Sequence, residues 1–216
     1  MKTGPQQFIL DNTVILSPPH VPEIQLHLAT EAHDLWLKTE DELQEIGLPP
    51  PFWAFAWAGG QGLARYVLDH PETVKGRRVI DFASGSGLVA IAAKLAGAES
   101  VLAVDIDPWS ATAVRLNCGL NGVSLDQSGG DIIGRDDGAD VYLAGDVFYD
   151  SDFALRLIPW FSALAGRGAM VLVGDPGRSY CPKERMRACA TYEVPVTRAL
   201  EDSDVKKTTV WQFLPE

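Results

Sequence analysis

Cysteine is scarce in this chain of 216 residues, with three in all. Cys118, Cys181 and Cys189 show no C-x-x-C spacing. That excludes a disulfide framework and points to reduced thiols. His20, His27, His33 and His70 are scattered, with no H-x-x-x-H pair and no Cys/His cluster. No metal site is therefore expected. Basic residues are also few: 18 Lys and Arg stand against 29 Asp and Glu, a formal net charge of −11. Such a surface repels phosphate backbones, so no nucleic-acid partner is expected; a basic partner fits better, although acidity also serves solubility. No apolar run is long enough to cross a bilayer, and no charged-then-apolar leader pattern opens the chain. The expectation is a cytoplasmic, monomeric protein with no membrane partner.

Apolar residues, by contrast, are plentiful at 46%, enough for one globular domain at this length. The chain is organised around Val79-Ile80-Asp81-Phe82-Ala83-Ser84-Gly85-Ser86-Gly87. An apolar strand runs into a loop of small residues, and a helical pattern follows. Upstream, Phe8-Ile9-Leu10 and Val14-Ile15-Leu16 flank a turn-prone trio and predict a hairpin. Ile24, Leu26 and Leu28 alternate as a strand would. Glu31 to Ile46 carries helical spacing with a solvated acidic face, and Pro49-Pro50-Pro51 stops it. Phe52 to Gly62 then mixes aromatics with glycines. This stretch reads equally as an aromatic core plug or as one wall of a cofactor pocket, with Trp57 facing a cation. A helix from about Gly62 to Asp69 follows.

From Arg77 onward strands and helices alternate, the pattern of a parallel sheet with helices on both faces. Strands are predicted at Val79–Phe82, Ser100–Val104, Val123–Leu125, Val141–Ala144 and Ala169–Val173. Helices are predicted at about Gly87–Ala96, from Pro108 to near Asn121, from an N-cap at Ser151 to Leu164 with a break at Pro159, and at Lys183–Cys189. Tyr192–Val196 and Thr208–Leu214 close the sheet. Asn117 and Asn121 read as helix-surface or capping residues.

The loop Gly85-Ser86-Gly87-Leu88-Val89-Ala90 also matches a dinucleotide fingerprint, with Asp105 twenty residues beyond Gly85. Asp81 separates the two ligands. A pyrophosphate beside it meets like charge, whereas the ammonium and sulfonium of S-adenosylmethionine (SAM) meet attraction. Asp105 can accept from two ribose hydroxyls, with Ile106 and Asp107 beside the sugar and adenine. The candidate cofactor-binding residues are thus Trp57, Asp81, Ala83, Ser84, Gly85, Ser86, Gly87, Asp105, Ile106 and Asp107. At the end of the next inner strand lies Asp146-Val147-Phe148-Tyr149-Asp150, where an acceptor would sit. Asp146 serves both donor and acceptor in this reading. The candidate catalytic residues are Asp146, Tyr149 and Asp150, holding and flanking an amine rather than acting as a dedicated base. Core packing for Tyr149 and helix-end support for Asp150 are the competing readings.

The Asp81–Gly87 stretch resembles the D/E-x-G-x-G-x-G loop of class I, seven-β-strand SAM-dependent methyltransferases, and departs from it at Ala83. Taken with Trp57-Ala58-Gly59-Gly60, Asp105–Asp107, Asn117, Asn121 and Asp146–Asp150, the chain resembles the family-16 protein methyltransferases. Pro50 to Gln61 resembles the branch that acts on the electron transfer flavoprotein β-subunit. The resemblance implies a Rossmann-like seven-stranded, mostly parallel sheet plus a short N-terminal extension. It implies a SAM-binding core over 59–216, with 1–58 as extension and lid. It implies methyl transfer to lysines of a folded protein, that β-subunit being the expected partner. It also implies that Asp131 and Ile132 meet the adenine edge; a solvated turn is the competing reading there. The core alone would equally serve a small-molecule N-methyltransferase or a SAM-binding module without turnover.

Overall fold

The computed structural model describes residues 4–30, 50–196 and 203–215. The expected acidic helix over 31–46 lies outside these residues. Seven strands form one sheet: β3 (Arg78–Phe82), β4 (Ser100–Asp105), β5 (Asp126–Gly129), β6 (Val141–Gly145), β7 (Met170–Asp175), β8 (Met186–Pro195) and β9 (Val205–Phe213). Their order is β5-β4-β3-β6-β7-β9-β8. All neighbouring pairs from β5 to β7 are parallel, and β9 runs against both β7 and β8. The chain winds outward from β3 to β5, then returns to the other side of β3 with β6. That reversal opens a crevice at the carboxyl ends of β3, β4 and β6.

Both faces of the sheet are buried. Val79 in β3 and Val141 and Leu143 in β6 pack with Leu63, Ala64 and Val67 of α2 (Ala58–Asp69) and with Leu88 to Ala93, which lie in α3 (Leu88–Leu95). The alternate residues Ile80, Phe82, Tyr142 and Ala144 pack on the opposite face with Leu157, Trp160, Phe161 and Leu164 of α5 (Ser151–Gly166). The period-two alternation of a strand buried on both faces explains why β3 and β6 read as nearly continuous apolar runs. Pro108 and the Asp107 cap open α4 (Pro108–Leu120): the Asp107 carboxylate accepts the Trp109 N–H at 2.9 Å.

The expected hairpin at the start is not formed. Pro5–Asn12 is a helix, α1, and only Val14–Leu16 is a strand, β1; it pairs antiparallel with β2 (Leu26–Leu28). Pro5 suits a first helical turn, and Ile9 is fully buried beside Trp53 and Ala113. Helix α2 starts at Ala58, so Gly59 and Gly60 lie within its first turn rather than before it. Strand β5 is Asp126–Gly129, not Val123–Leu125; it is an exposed edge strand whose partner sets its register, so burial leaves no pattern in it. Asp150, not Ser151, caps α5, and that helix runs unbroken through Pro159. Burying Trp160, Phe161 and Leu164 holds it together against the roughly 3 kcal/mol an interior proline costs. Lys183–Arg185 is a single 3-10 turn, because Met186 is buried and pairs with Phe213 in the sheet.

Candidate active site

The crevice holds a cavity of about 530 Å³, within the usual range for small-ligand sites. Its walls include Trp57, Asp81, Ala83, Ser84, Gly85, Ser86, Asp105, Ile106, Asp107, Asp146 and Tyr149. Sequence reading had named all eleven. Four others named do not line it. Gly87 caps the start of α3 at φ +79°, where a Cβ would press on the Val114 side chain at 3.0 Å. Ile132 is buried in the α5 face of the core. Asp131 is turned into an ion pair with Arg156 and accepts the Ile133 N–H. Neither residue's expected place at the adenine edge is part of the cavity wall. Asp150 does not line the cavity and caps α5, its Oδ1 accepting the Phe153 N–H at 2.8 Å.

The loop after β3 is built by carboxylates. Asp105 Oδ2 accepts the Gly85 N–H at 2.7 Å, and Oδ1 accepts the Asp107 N–H at 2.9 Å. One side chain thus fixes two cavity walls, yet each oxygen keeps a second lone pair for hydroxyls. Ala83 takes φ +54°, the left-handed backbone that its glycine counterpart would adopt. The departure from the family's first glycine is absorbed as local strain of about 1–2 kcal/mol, and the loop keeps its path. Asp81 is 1% exposed, and its Oδ2 accepts the Ala90 N–H at 2.9 Å. Burial pushes its carboxyl up to about 8; the Ala90 bond opposes this and the nearby Asp105 charge adds to it. A carboxyl so placed on a cavity wall is largely protonated near neutral pH and would ionise beside a bound cation.

On the other side of β3, Asp146 ends the turn after β6 at φ +56°. Its Oδ2 accepts the Gly60 N–H at 3.0 Å, at the start of α2. Its Oδ1 accepts from Arg178, at 3.1 Å from Nε and 2.6 Å from Nη2. The guanidinium also lies 5.9 Å over the Trp57 ring. Arg178 lines the cavity and was missed in the sequence, where it follows β7 in a turn without a ligand motif. The approach of α2 explains the glycines: a Cβ on Gly59 would strike the Gly174 carbonyl and the Asp146 carboxylate. Around the rim, Phe52 lies 5.9 Å from Trp57 and 6.0 Å from Tyr149, ring centre to ring centre. Phe52 and Tyr149 are both exposed. Burial also raises the Tyr149 hydroxyl above its ordinary range, with Asp150 and Asp105 adding to the effect.

The site combines a carboxylate-lined pocket with an aromatic rim, and its relatives say which chemistry it serves. The electron transfer flavoprotein β-subunit lysine methyltransferase of Xenopus laevis is 40% identical over 220 residues, covering 99% of this chain and 88% of its own length. The chain belongs to this family of lysine methyltransferases. The human enzyme of the same name is 37% identical and covers 96% of the chain. The family model described as ribosomal protein L11 methyltransferase (PrmA) matches residues 65–144. Among solved structures, ribosomal protein L11 methylase from Lactobacillus delbrueckii subsp. bulgaricus superposes with a TM-score of 0.54 at 22% identity. It covers 74% of this chain and 81% of its own, and supports the seven-stranded fold. Family membership makes the chain a SAM-dependent protein-lysine methyltransferase, and the pocket of Asp81 and Asp105 fits that donor.

Proposed function

We propose that this enzyme methylates a lysine of the electron transfer flavoprotein β-subunit, with the donor held along β3 and β4 and the acceptor entering beside β6. One observation carries the reading: Asp105, Asp81 and Asp146 stand at three adjacent strand ends, and one cavity joins them to the Phe52–Trp57–Tyr149 rim. Asp105 takes the ribose hydroxyls, and Ile106, 75% exposed at the cavity wall, lies against the adenine. Asp81 faces the ammonium of the donor's amino-acid end. Bound SAM supplies a methyl group on a sulfonium, ready for in-line attack. The aromatic rim grips the aliphatic stem and cationic head of the acceptor lysine. The lysine proton leaves to water before attack, since the dry, cation-bearing site disfavours the ammonium form. Most of the acceleration comes from holding nitrogen, methyl carbon and sulfur in line. Within the 1–58 lid, Phe52, Phe55 and Trp57 supply the aromatic wall. Cys118, Cys181 and Cys189 are all unpaired, which supports a cytoplasmic, reducing compartment.

Radiolabelled SAM incubated with the purified flavoprotein tests the reading. Label is expected on a lysine of the β-subunit. Asp105→Ala is expected to weaken SAM binding at least about tenfold, the scale of charge-assisted hydrogen bonds. Labelling of free amines alone, with the folded β-subunit untouched, would refute the assignment.

A further inference from the structure

We propose that Arg178 is a positioning residue for methyl transfer: through its forked contact it holds the Asp146 carboxylate as a fixed wall of the acceptor end. The inference rests on the lysine acceptor site described above and concerns what keeps that site in shape.

Asp146 needs holding. Its backbone is left-handed, a conformation a non-glycine residue keeps only when its surroundings over-determine it. Gly145 before it packs directly on Gly60, where a Cβ would come within 2.8 Å of the Gly60 Cα. Its side chain is 9% exposed, so the charge must be met by protein donors. Among the described residues its donors include the Gly60 N–H from α2 on one oxygen, and Nε and Nη2 of Arg178 on the other.

Arg178 is itself set in place from behind. Asp175, at the end of β7, accepts the N–H of Gly177 at 2.7 Å and of Arg178 at 2.8 Å through Oδ1. This folds the turn so that the arginine reaches back across the β6 end, with its guanidinium over Trp57. The ends of β6 and β7, the first turn of α2 and the aromatic rim thus meet on one ion pair. Two donors of one planar guanidinium converge on Oδ1 while the Gly60 N–H holds Oδ2, and together they fix the position and the plane of the carboxylate; a lysine offers a point charge without the paired donors. With its carboxylate committed to these donors, Asp146 shapes the entry of the amine and does not carry off its proton, which passes to solvent.

The test compares Arg178→Ala, Arg178→Lys and Asp146→Ala with the parent enzyme on the flavoprotein acceptor. Arg178→Ala is expected to lower kcat by about 100-fold, the scale of a misplacement near one ångström, with SAM affinity within about threefold of the parent. Arg178→Lys keeps the charge without the fork and is expected to recover only a minor part of the loss. Millimolar guanidinium is expected to restore kcat in Arg178→Ala but not in the double variant with Asp146→Ala. The double variant is expected to be no worse than Asp146→Ala alone, since the two residues act as one unit. If Arg178→Ala does not fold, Arg178→Gln takes its place in the same series. The proposal is overturned if kcat stays within threefold of the parent, if guanidinium restores nothing, or if SAM affinity falls in step with kcat. A parent enzyme silent on the flavoprotein would refute the acceptor assignment instead. The same series would then be read on whichever protein lysine the parent labels in an extract.

Discussion

Asp81 carries the clearest chemical signal in the chain. An acid placed at the end of a central strand and buried to 1% exposure is an unfavourable arrangement for the free protein. Below its ordinary value of 3.8 the carboxyl is protonated in both folded and unfolded chains, and burial carries no charge penalty. Between 3.8 and about 8 the unfolded chain loses that proton while the folded chain keeps it, so stability falls as pH rises. Above about 8 the penalty is fully present. Asp81→Asn removes this slope while keeping an acceptor for the Ala90 N–H. Its melting temperature is expected to exceed that of the parent, by more at pH 9 than at pH 5. The same variant is expected to bind SAM at least about tenfold more weakly, because the ammonium loses its counter-charge. In the parent, donor binding is expected to drive Asp81 to ionise and release a proton, so affinity tightens as pH rises from about 6 to about 7, below the range in which the donor's own α-ammonium titrates. Calorimetry in buffers of different ionisation enthalpy reads that proton directly. A donor affinity that is flat across this range and unchanged in Asp81→Asn would contradict the role.

At the scale of elements, the N-terminal extension is stitched to α4 by two asparagines, and the first of them also holds the donor loop. Asn117 in α4 is fully buried; its Oδ1 accepts the His27 N–H at 2.7 Å, and its Nδ2 donates to the Ser86 carbonyl at 2.8 Å. Asn121 repeats the pattern one turn on, with Oδ1 accepting the Gln25 N–H and Nδ2 donating to the Gln25 carbonyl. Strand β2 therefore reads the helix as a paired neighbour would. Asn117→Ala strands two buried backbone groups and is expected to cost roughly 2–4 kcal/mol in urea unfolding. It should also weaken SAM binding, since Ser86 lies in the cavity wall. A loss below about 1 kcal/mol would mean that water replaces both bonds. These asparagines show where sequence reading stops. Strands β3, β6 and β7 and the loop from Asp81 to Gly87 were legible because buried strands and turns leave local patterns. The partners of Asn117 lie 90 and 31 residues earlier in the chain, so no window could reveal them. Arg178 was illegible for the same reason, since it acts on a residue 32 positions earlier. Asp150 was ambiguous because a capping acid and a catalytic acid look alike in sequence, and the structure shows its capping bond to the Phe153 N–H. Helix α1 misled because Ile9 alone of its apolar trio is fully buried, against Trp53 and Ala113, which pattern alone cannot bring near.

The whole molecule carries a formal charge of −11, and its active-site rim adds exposed Asp150 and Asp152 beside the exposed Tyr149. A lysine-bearing protein face would approach this surface through a long-range attractive field, whereas in the proposed binding mode the charges of SAM meet the pocket carboxylates at short range. Salt screens the first far more than the second, because the Debye length is about 10 Å at 0.1 M and about 3 Å at 1 M. Raising NaCl from 25 to 300 mM is therefore expected to lower kcat/KM for the protein acceptor by about tenfold, chiefly through slower encounter. Over the same range the SAM dissociation constant is expected to move less than about threefold. Steady-state assays with varied acceptor, run beside calorimetry with SAM alone, separate the two. Equal salt slopes would place the effect in the donor pocket and remove the argument for steering. A flat acceptor slope would mean that the acidic surface serves solubility and the rim aromatics alone select the lysine.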